Sequence, residues 1–257
     1  MSQAITLLSL VPIRKSPSEQ SEMVSQLLFG ETCIILNEEG DWLNIKTTFD
    51  DYCGWIDKKM VTEIDSDFSK IGIKQIIANP FIKITNNEDN TSQYIVAGSE
   101  IYNLSKQTKT FSINSKSYIL DDLHEPDVHL SIRDQLINTA MSFINSPYLW
   151  GGRSIFGIDC SGLVQIVYKV CKINLPRDAK DQNNTGETIS IDKSKHGDLA
   201  FFTKDGRTIS HVGIILKDDK IIHASGKVRI DKLDQSGILN EDLNDYSHQL
   251  VSIKNLL

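Results

Sequence analysis

The chain predicts a multidomain architecture in which two small all-β barrels, the second degenerate, precede an α+β domain. Three observations carry that expectation. Strand-and-turn patterning fills the chain as far as residue 123, a segment near residue 92 echoes one near residue 25, and beyond residue 131 the hydrophobic period lengthens from two to 3.6. The 257 residues, 40% of them hydrophobic, suffice for two or three small domains with real cores.

Between Ile5 and Ile64, Thr32–Leu36 reads as a buried strand, 37–40 as a turn and Trp42–Lys46 as an alternating strand. Phe49–Tyr52 then turns into Gly54-Trp55-Ile56. Five short strands punctuated by glycine and aspartate indicate a small barrel over residues 1–66, with Trp42 and Trp55 in its core and a peptide-binding face as their alternative place. The run SQLLFGE at 25–31 is answered by SQYIVAGSE at 92–100, so residues 67–123 read as a degenerate second copy without the tryptophans. Residues 124–130 read as a linker and 131–257 as the last domain. There Ser131 caps a helix, with Asp134 completing a capping box, and Ile132, Leu136, Ile137, Ala140, Met141 and Ile144 share one face. A second helix starts at Cys160, carries Leu163, Val164, Val167 and Cys171 inward, and stops before Pro176. Strand-like runs follow at 199–202, 211–216, 220–223, 228–230 and 250–253; helices first and an antiparallel sheet afterwards make this part α+β.

Charge and composition exclude several functions. Twenty-seven Lys and Arg against 34 Asp and Glu give a net charge of −7, and no basic run exists, which argues against nucleic acid or an anionic membrane as partner. No apolar run approaches the length of a membrane span. The apolar stretch Ile5–Val11 is short, with no basic residue before it and no small-residue cleavage site after it, so it reads as a first strand and the expected location is the cytoplasm. Cys33, Cys53, Cys160 and Cys171 form no CxxC pair; free intracellular thiols are expected, with a Cys33–Cys53 bridge as the alternative. No cluster has metal-ligand spacing, so neither a metal nor another cofactor is expected.

The stretch PYLWGGRSIFGIDCSG at 147–162 delivers Cys160 to the first turn of a helix, where the dipole and unpaired N–H groups are expected to lower the thiol pKa. A nucleophile needs a base, and the base an orienting partner. In a hairpin turning at Lys217–Lys220, His211 would stand directly opposite His223, which gives the chain Cys160 nucleophile, His211 base, His223 orienter. His124, His129, His196 and His248 read as bystanders, and Asp198 as a turn residue.

The order DCSG, GDLAFF, SHVGI, HAS, with PYLWGG in front, resembles the NlpC/P60 cysteine peptidases across 131–257. Arg14, Pro17, Gly30-Glu31, Gly40-Asp41-Trp42 and Gly54-Trp55-Ile56 resemble the bacterial SH3-like (SH3b) module across 5–64. Together with Pro176-Arg177-Asp178-Ala179, the match is similar to the γ-D-glutamyl-L-diamino acid endopeptidases of murein-peptide recycling. The resemblance implies a papain-like fold, a triad on Cys160, His211 and His223, and an oxyanion contact from Tyr148 with the Cys160 N–H. It further implies that Asp159, Ser161, Arg177 and Asp178, with Tyr52 and Glu22 from the SH3b module, surround a free N-terminal L-Ala. Relatives often carry serine where this chain has Ala179. The implied partner is a small L-Ala-γ-D-Glu-diamino acid peptide, and a monomer is expected. The alternatives are a wall hydrolase acting on intact sacculi and an acyltransferase on the same fold.

Overall fold

The computed structural model describes residues 2–64, 72–113, 115–121, 123, 129–240 and 244–257. The expected boundary at 66/67, His124 and most of the expected linker lie outside the described residues. The chain divides into two compact units, Met1–Glu125 and Pro126–Leu257.

In the first unit a seven-stranded antiparallel sheet runs from Gln3–Ile5 to Thr62–Ile64, two strands more than turn punctuation alone suggests. Alternation along Trp42–Thr47 and Cys53–Asp57 sends Leu43, Ile45 and Ile56 into a core with Val11, Ile13, Leu27 and Cys33. Trp42 and Trp55 therefore fall on the opposite face and are only half-buried, which corrects their expected place in the core. Cys33 is buried, Cys53 exposed, and both are free thiols.

Phe81–Asn86, Ser92–Val96, Thr110–Ile113 and Lys116–Leu120 form a second, four-stranded sheet, while Lys74–Ile76 pairs with Glu100–Tyr102. The two echoing segments turn alike. Glu31 N–H donates to the Leu28 carbonyl and Ser99 N–H to that of Val96, each at 3.0 Å, with Gly30 and Gly98 at φ +79° and +87°. The turns also touch, since Glu100 N–H donates to the Phe29 carbonyl at 2.8 Å. A Cβ on Gly30 would come within 1.8 Å of the Glu100 carbonyl oxygen, so only glycine fits. Ile5 and Phe29 are buried among Ile82, Ile84, Ile95, Phe111 and Tyr118, so the second sheet's core takes in side chains of the first.

In the second unit α1 (Ile132–Met141) starts at Ser131, whose hydroxyl accepts the Asp134 N–H. Helix α2 (Cys160–Val170) has all eleven residues buried, and α3 (Ala179–Gln182) follows it. A seven-stranded antiparallel sheet has the order Glu187–Ile189, Asp245–Asn255, Leu199–Thr203, His211–Ile215, Lys220–Ser225, Lys227–Leu233, Gly237–Asn240. Gly237–Asn240 pairs back onto Asp245–Asn255, closing the sheet on itself, and α2 packs on His211–Ile215 and Lys220–Ser225. Among the described residues no helix is long and apolar enough to cross a membrane.

The central hairpin departs from its expected register. Leu216 N–H donates to the Lys220 carbonyl at 2.8 Å and closes a three-residue loop in which Asp218 and Asp219 take φ +59° and +53°. Gly213, not His211, consequently opposes His223. A slip of two residues leaves every side chain on its original face.

Candidate active site

Helix α2 begins at Cys160 because Asp159 caps it, accepting the Gly162 N–H at 2.7 Å on Oδ1. The first turn lies tight against the preceding loop, and a Cβ on Gly162 would sit 2.3 Å from the Gly152 carbonyl oxygen. Gly151, at φ +77°, donates its N–H to Asp159 Oδ2 at 2.8 Å. Arg177 closes the arrangement with a fork, Nη1 to Oδ1 at 3.0 Å and Nη2 to Oδ2 at 2.6 Å. Ser161 Oγ donates to Asp159 Oδ1 at 3.3 Å and accepts from Arg177 Nη1 at 2.9 Å. Asp159, Ser161 and Arg177 are all buried.

Facing α2, the strands carry a row of rings. Phe202 opposes His211 directly, Gly213 opposes His223, and Ile221 opposes Asp231, so His211, His223 and Asp231 share one sheet face. His211 Nε2 lies 2.8 Å from His223 Nδ1, and His223 Nε2 lies 2.9 Å from Asp231 Oδ2. Asp231 Oδ1 accepts from Arg229 Nη2 at 2.7 Å. His248, expected as a bystander, instead stacks on His211 with centroids 4.1 Å apart and planes 21° from parallel. The backbone N–H groups of Ser161 and of Val212, the neighbour of His211, lie near enough to the Cys160 sulfur to favour its thiolate, which places the thiol at the start of this row.

Burial dominates the electrostatics. It pushes the Cys160 thiol up to about 12, with the nearby Asp159 charge adding to the effect and the Val212 and Ser161 N–H groups opposing it. This reverses the expected lowering: the dipole's positive end is already answered by the Asp159 cap, while a thiol 7% exposed loses most of its hydration. Burial likewise drives His211 well below 6.5, with His223, His248 and Lys204 pushing the same way, so thiol and imidazole rest neutral. Burial also lowers His248 to about 4. For the fold, the sign follows from the unfolded chain, which binds the extra protons. Stability is complete above pH 6.5 and is lost as pH falls toward the folded values. The urea midpoint of the catalytic unit should fall on going from about pH 7 to about pH 5, and fall less in His248→Phe. Identical pH slopes for the two proteins would contradict it.

The remaining expected residues are placed as follows. Tyr148 is 36% exposed, and burial together with the Cys160 and Asp159 charges pushes its phenol up to about 12, which keeps it a hydrogen-bond donor. Asp178 is half-buried beside Arg177, and burial raises its carboxyl. Tyr52 and Glu22 belong to the other unit, where Tyr52 N–H donates to Thr47 Oγ1 at 2.9 Å and Glu22 pairs with Lys15 at 3.3 Å. Asp231, Arg229 and His248 were not anticipated. The signal for the first two is the Gly226 turn, whose register sets Arg229 opposite His223. Among the described residues no His, Cys, Asp or Glu group could hold a metal.

Residues 145–245 match the NlpC/P60 family model, and residues 13–60 match the bacterial dipeptidyl-peptidase Sh3 domain model. A gamma-D-glutamyl-L-lysine dipeptidyl-peptidase of Bacillus cereus is 26% identical over 86% of this chain and 74% of its own length. A dipeptidyl-peptidase 6 of Lysinibacillus sphaericus is 27% identical over 93% of this chain and 95% of its own. The crystal structure of an NlpC/P60 family protein from Bacillus cereus superposes with a TM-score of 0.85 at 22% identity, covering 100% of both chains, a likeness of fold.

Proposed function

We propose that this chain, whose residues 145–245 match the NlpC/P60 family of cysteine peptidases, hydrolyses the bond after D-Glu in short murein peptides whose N-terminal L-Ala is free. The observation that carries the reading is Cys160 at the start of α2, its sulfur near the backbone of Val212, the neighbour of His211, whose ring pairs with His223 at 2.8 Å. In the proposed reaction His211 takes the thiol proton as sulfur attacks the γ-carbonyl of D-Glu. The Cys160 N–H, which has no acceptor within its own helix, and the Tyr148 hydroxyl hold the developing oxyanion. Collapse passes the proton to the departing amine, and water then releases L-Ala-D-Glu from the thioester.

Substrate choice is the finer part of the proposal, and it rests on two carboxylates with different duties. Asp159 already takes five donors, from Gly151, Gly162, Ser161 and both Arg177 nitrogens, which saturates its two oxygens. We therefore assign the L-Ala ammonium to Asp178, half-buried and raised by burial, where a cation restores the charged form. Ala179 beside it offers no hydroxyl to share the contact. A free-amine requirement directs the enzyme to peptides already released from glycan, which supports recycling over attack on the intact wall. The test is L-Ala-γ-D-Glu-diaminopimelate against its N-acetylated form, with products read by mass spectrometry. A charge-assisted contact of roughly 1.5–3 kcal/mol predicts that acetylation lowers kcat/KM more than about tenfold. Equal turnover of the two peptides, or efficient lysis of purified sacculi, would instead favour a wall hydrolase.

A further inference from the structure

We infer that Asp231, held by Arg229, is a positioning residue that fixes the proton of both imidazoles and thereby aims the base lone pair of His211 at Cys160. The inference deepens the peptidase reading above and rests on it. Its basis is the continuous line from Arg229 Nη2 through Asp231 (2.7 Å), His223 (2.9 Å) and on to His211 (2.8 Å).

With both imidazoles neutral, the line has only one self-consistent proton arrangement when it starts from a carboxylate. An ionised carboxylate only accepts, so the hydrogen of neutral His223 must sit on Nε2, facing Asp231 Oδ2. His223 Nδ1 is then bare, and it accepts from His211 Nε2–H. That leaves His211 Nδ1 without a proton, which is the state a base must have before it can take one from a thiol. Burial raises Asp231, but hydrogen bonds from His223 and Arg229 outweigh it, and the carboxyl ends below its ordinary range. The other titratable groups near His211 are His248, stacked on its ring, and Lys204; both push it toward the neutral form and neither enters the line. When His211 does take the thiol proton, the positive charge gains a buried carboxylate on the far side of one ring, with Asp231 3% and His223 1% exposed. The apparent third member of the triad is thus a relay whose orientation is set by a fourth residue.

The test reads nitrogen protonation as well as rate. In the wild-type protein, ¹⁵N shifts of the imidazoles should show His223 and His211 both protonated on Nε2 with bare Nδ1. Asp231→Asn keeps the shape but presents an amide that can donate, which allows both rings to reverse. Its kcat should fall by roughly 10²–10⁴-fold, with KM close to wild type and with His211 now protonated on Nδ1. Wild-type rings protonated on Nδ1 would overturn the inference, as would Asp231→Asn with wild-type kcat and unchanged tautomers. The wild-type spectrum decides the matter even if the variant fails to fold. Failure of the underlying peptidase reading shows separately, as turnover that survives Cys160→Ala.

Discussion

Cys160→Ala will leave no measurable peptide hydrolysis, a loss on the scale of the roughly 10⁶-fold seen when a serine peptidase loses its nucleophile. The more informative companion is the pH dependence of Cys160 alkylation. With the thiol pushed up to about 12 and His211 neutral, the reactive thiolate is a small fraction that grows with pH. Carbamidomethylation by iodoacetamide should therefore quicken about tenfold per unit between about pH 6 and 9 without levelling off. Cys53 is the exposed thiol and will label first, so the measurement belongs in a Cys53→Ser background. A rate that plateaus below neutrality would demonstrate a preformed thiolate–imidazolium pair and refute the neutral resting state. Substrate binding is then the step that must make proton transfer favourable, by excluding water and offering a carbonyl at the moment the sulfur gives up its hydrogen.

The second large effect is structural. Asp159→Ala should destabilise the catalytic unit by about 3–5 kcal/mol, because it strands the Arg177 guanidinium, whose side chain is 2% exposed, and by about 1 kcal/mol more for the lost helix cap. Against a total of roughly 5–15 kcal/mol for a domain, that unfolds much of the population at 37 °C. Adding Arg177→Met should recover part of the loss by removing the buried charge that has lost its carboxylate. Urea titration of the full chain decides it. A cost below about 1 kcal/mol for Asp159→Ala would mean that the pair contributes nothing net, as exposed pairs often do.

Local sequence rules located what depends on local forces. Ser131 with Asp134 marked α1, the helical apolar period marked α2 from Cys160, and the strand-like runs at 199–202 and 211–216 fall on two central strands of the sheet. The site was less legible where geometry depends on loops. The hairpin register turned on Asp218 and Asp219 adopting left-handed backbone, which the residues Lys217–Lys220 do not announce. Asp231 could be found only through a second register, set at Gly226. The thiol pKa was misread because the dipole is a property of one helix, whereas burial is a property of everything packed against it. Trp42 and Trp55 were misplaced for a related reason: size suggested the core, but the pleat had already given that face to Leu43, Ile45 and Ile56.

The meeting of Gly30 with Glu100 has a consequence for how such chains can be rearranged. The second sheet of the first unit uses side chains of the first as its interior, with Ile5 and Phe29 buried among Ile82, Ile84, Ile95, Phe111 and Tyr118. A recombination break between them would expose Phe29 on one fragment and leave a void in the other. The pair can therefore be gained, lost or grafted onto another enzyme only as one cassette, inherited as a single unit.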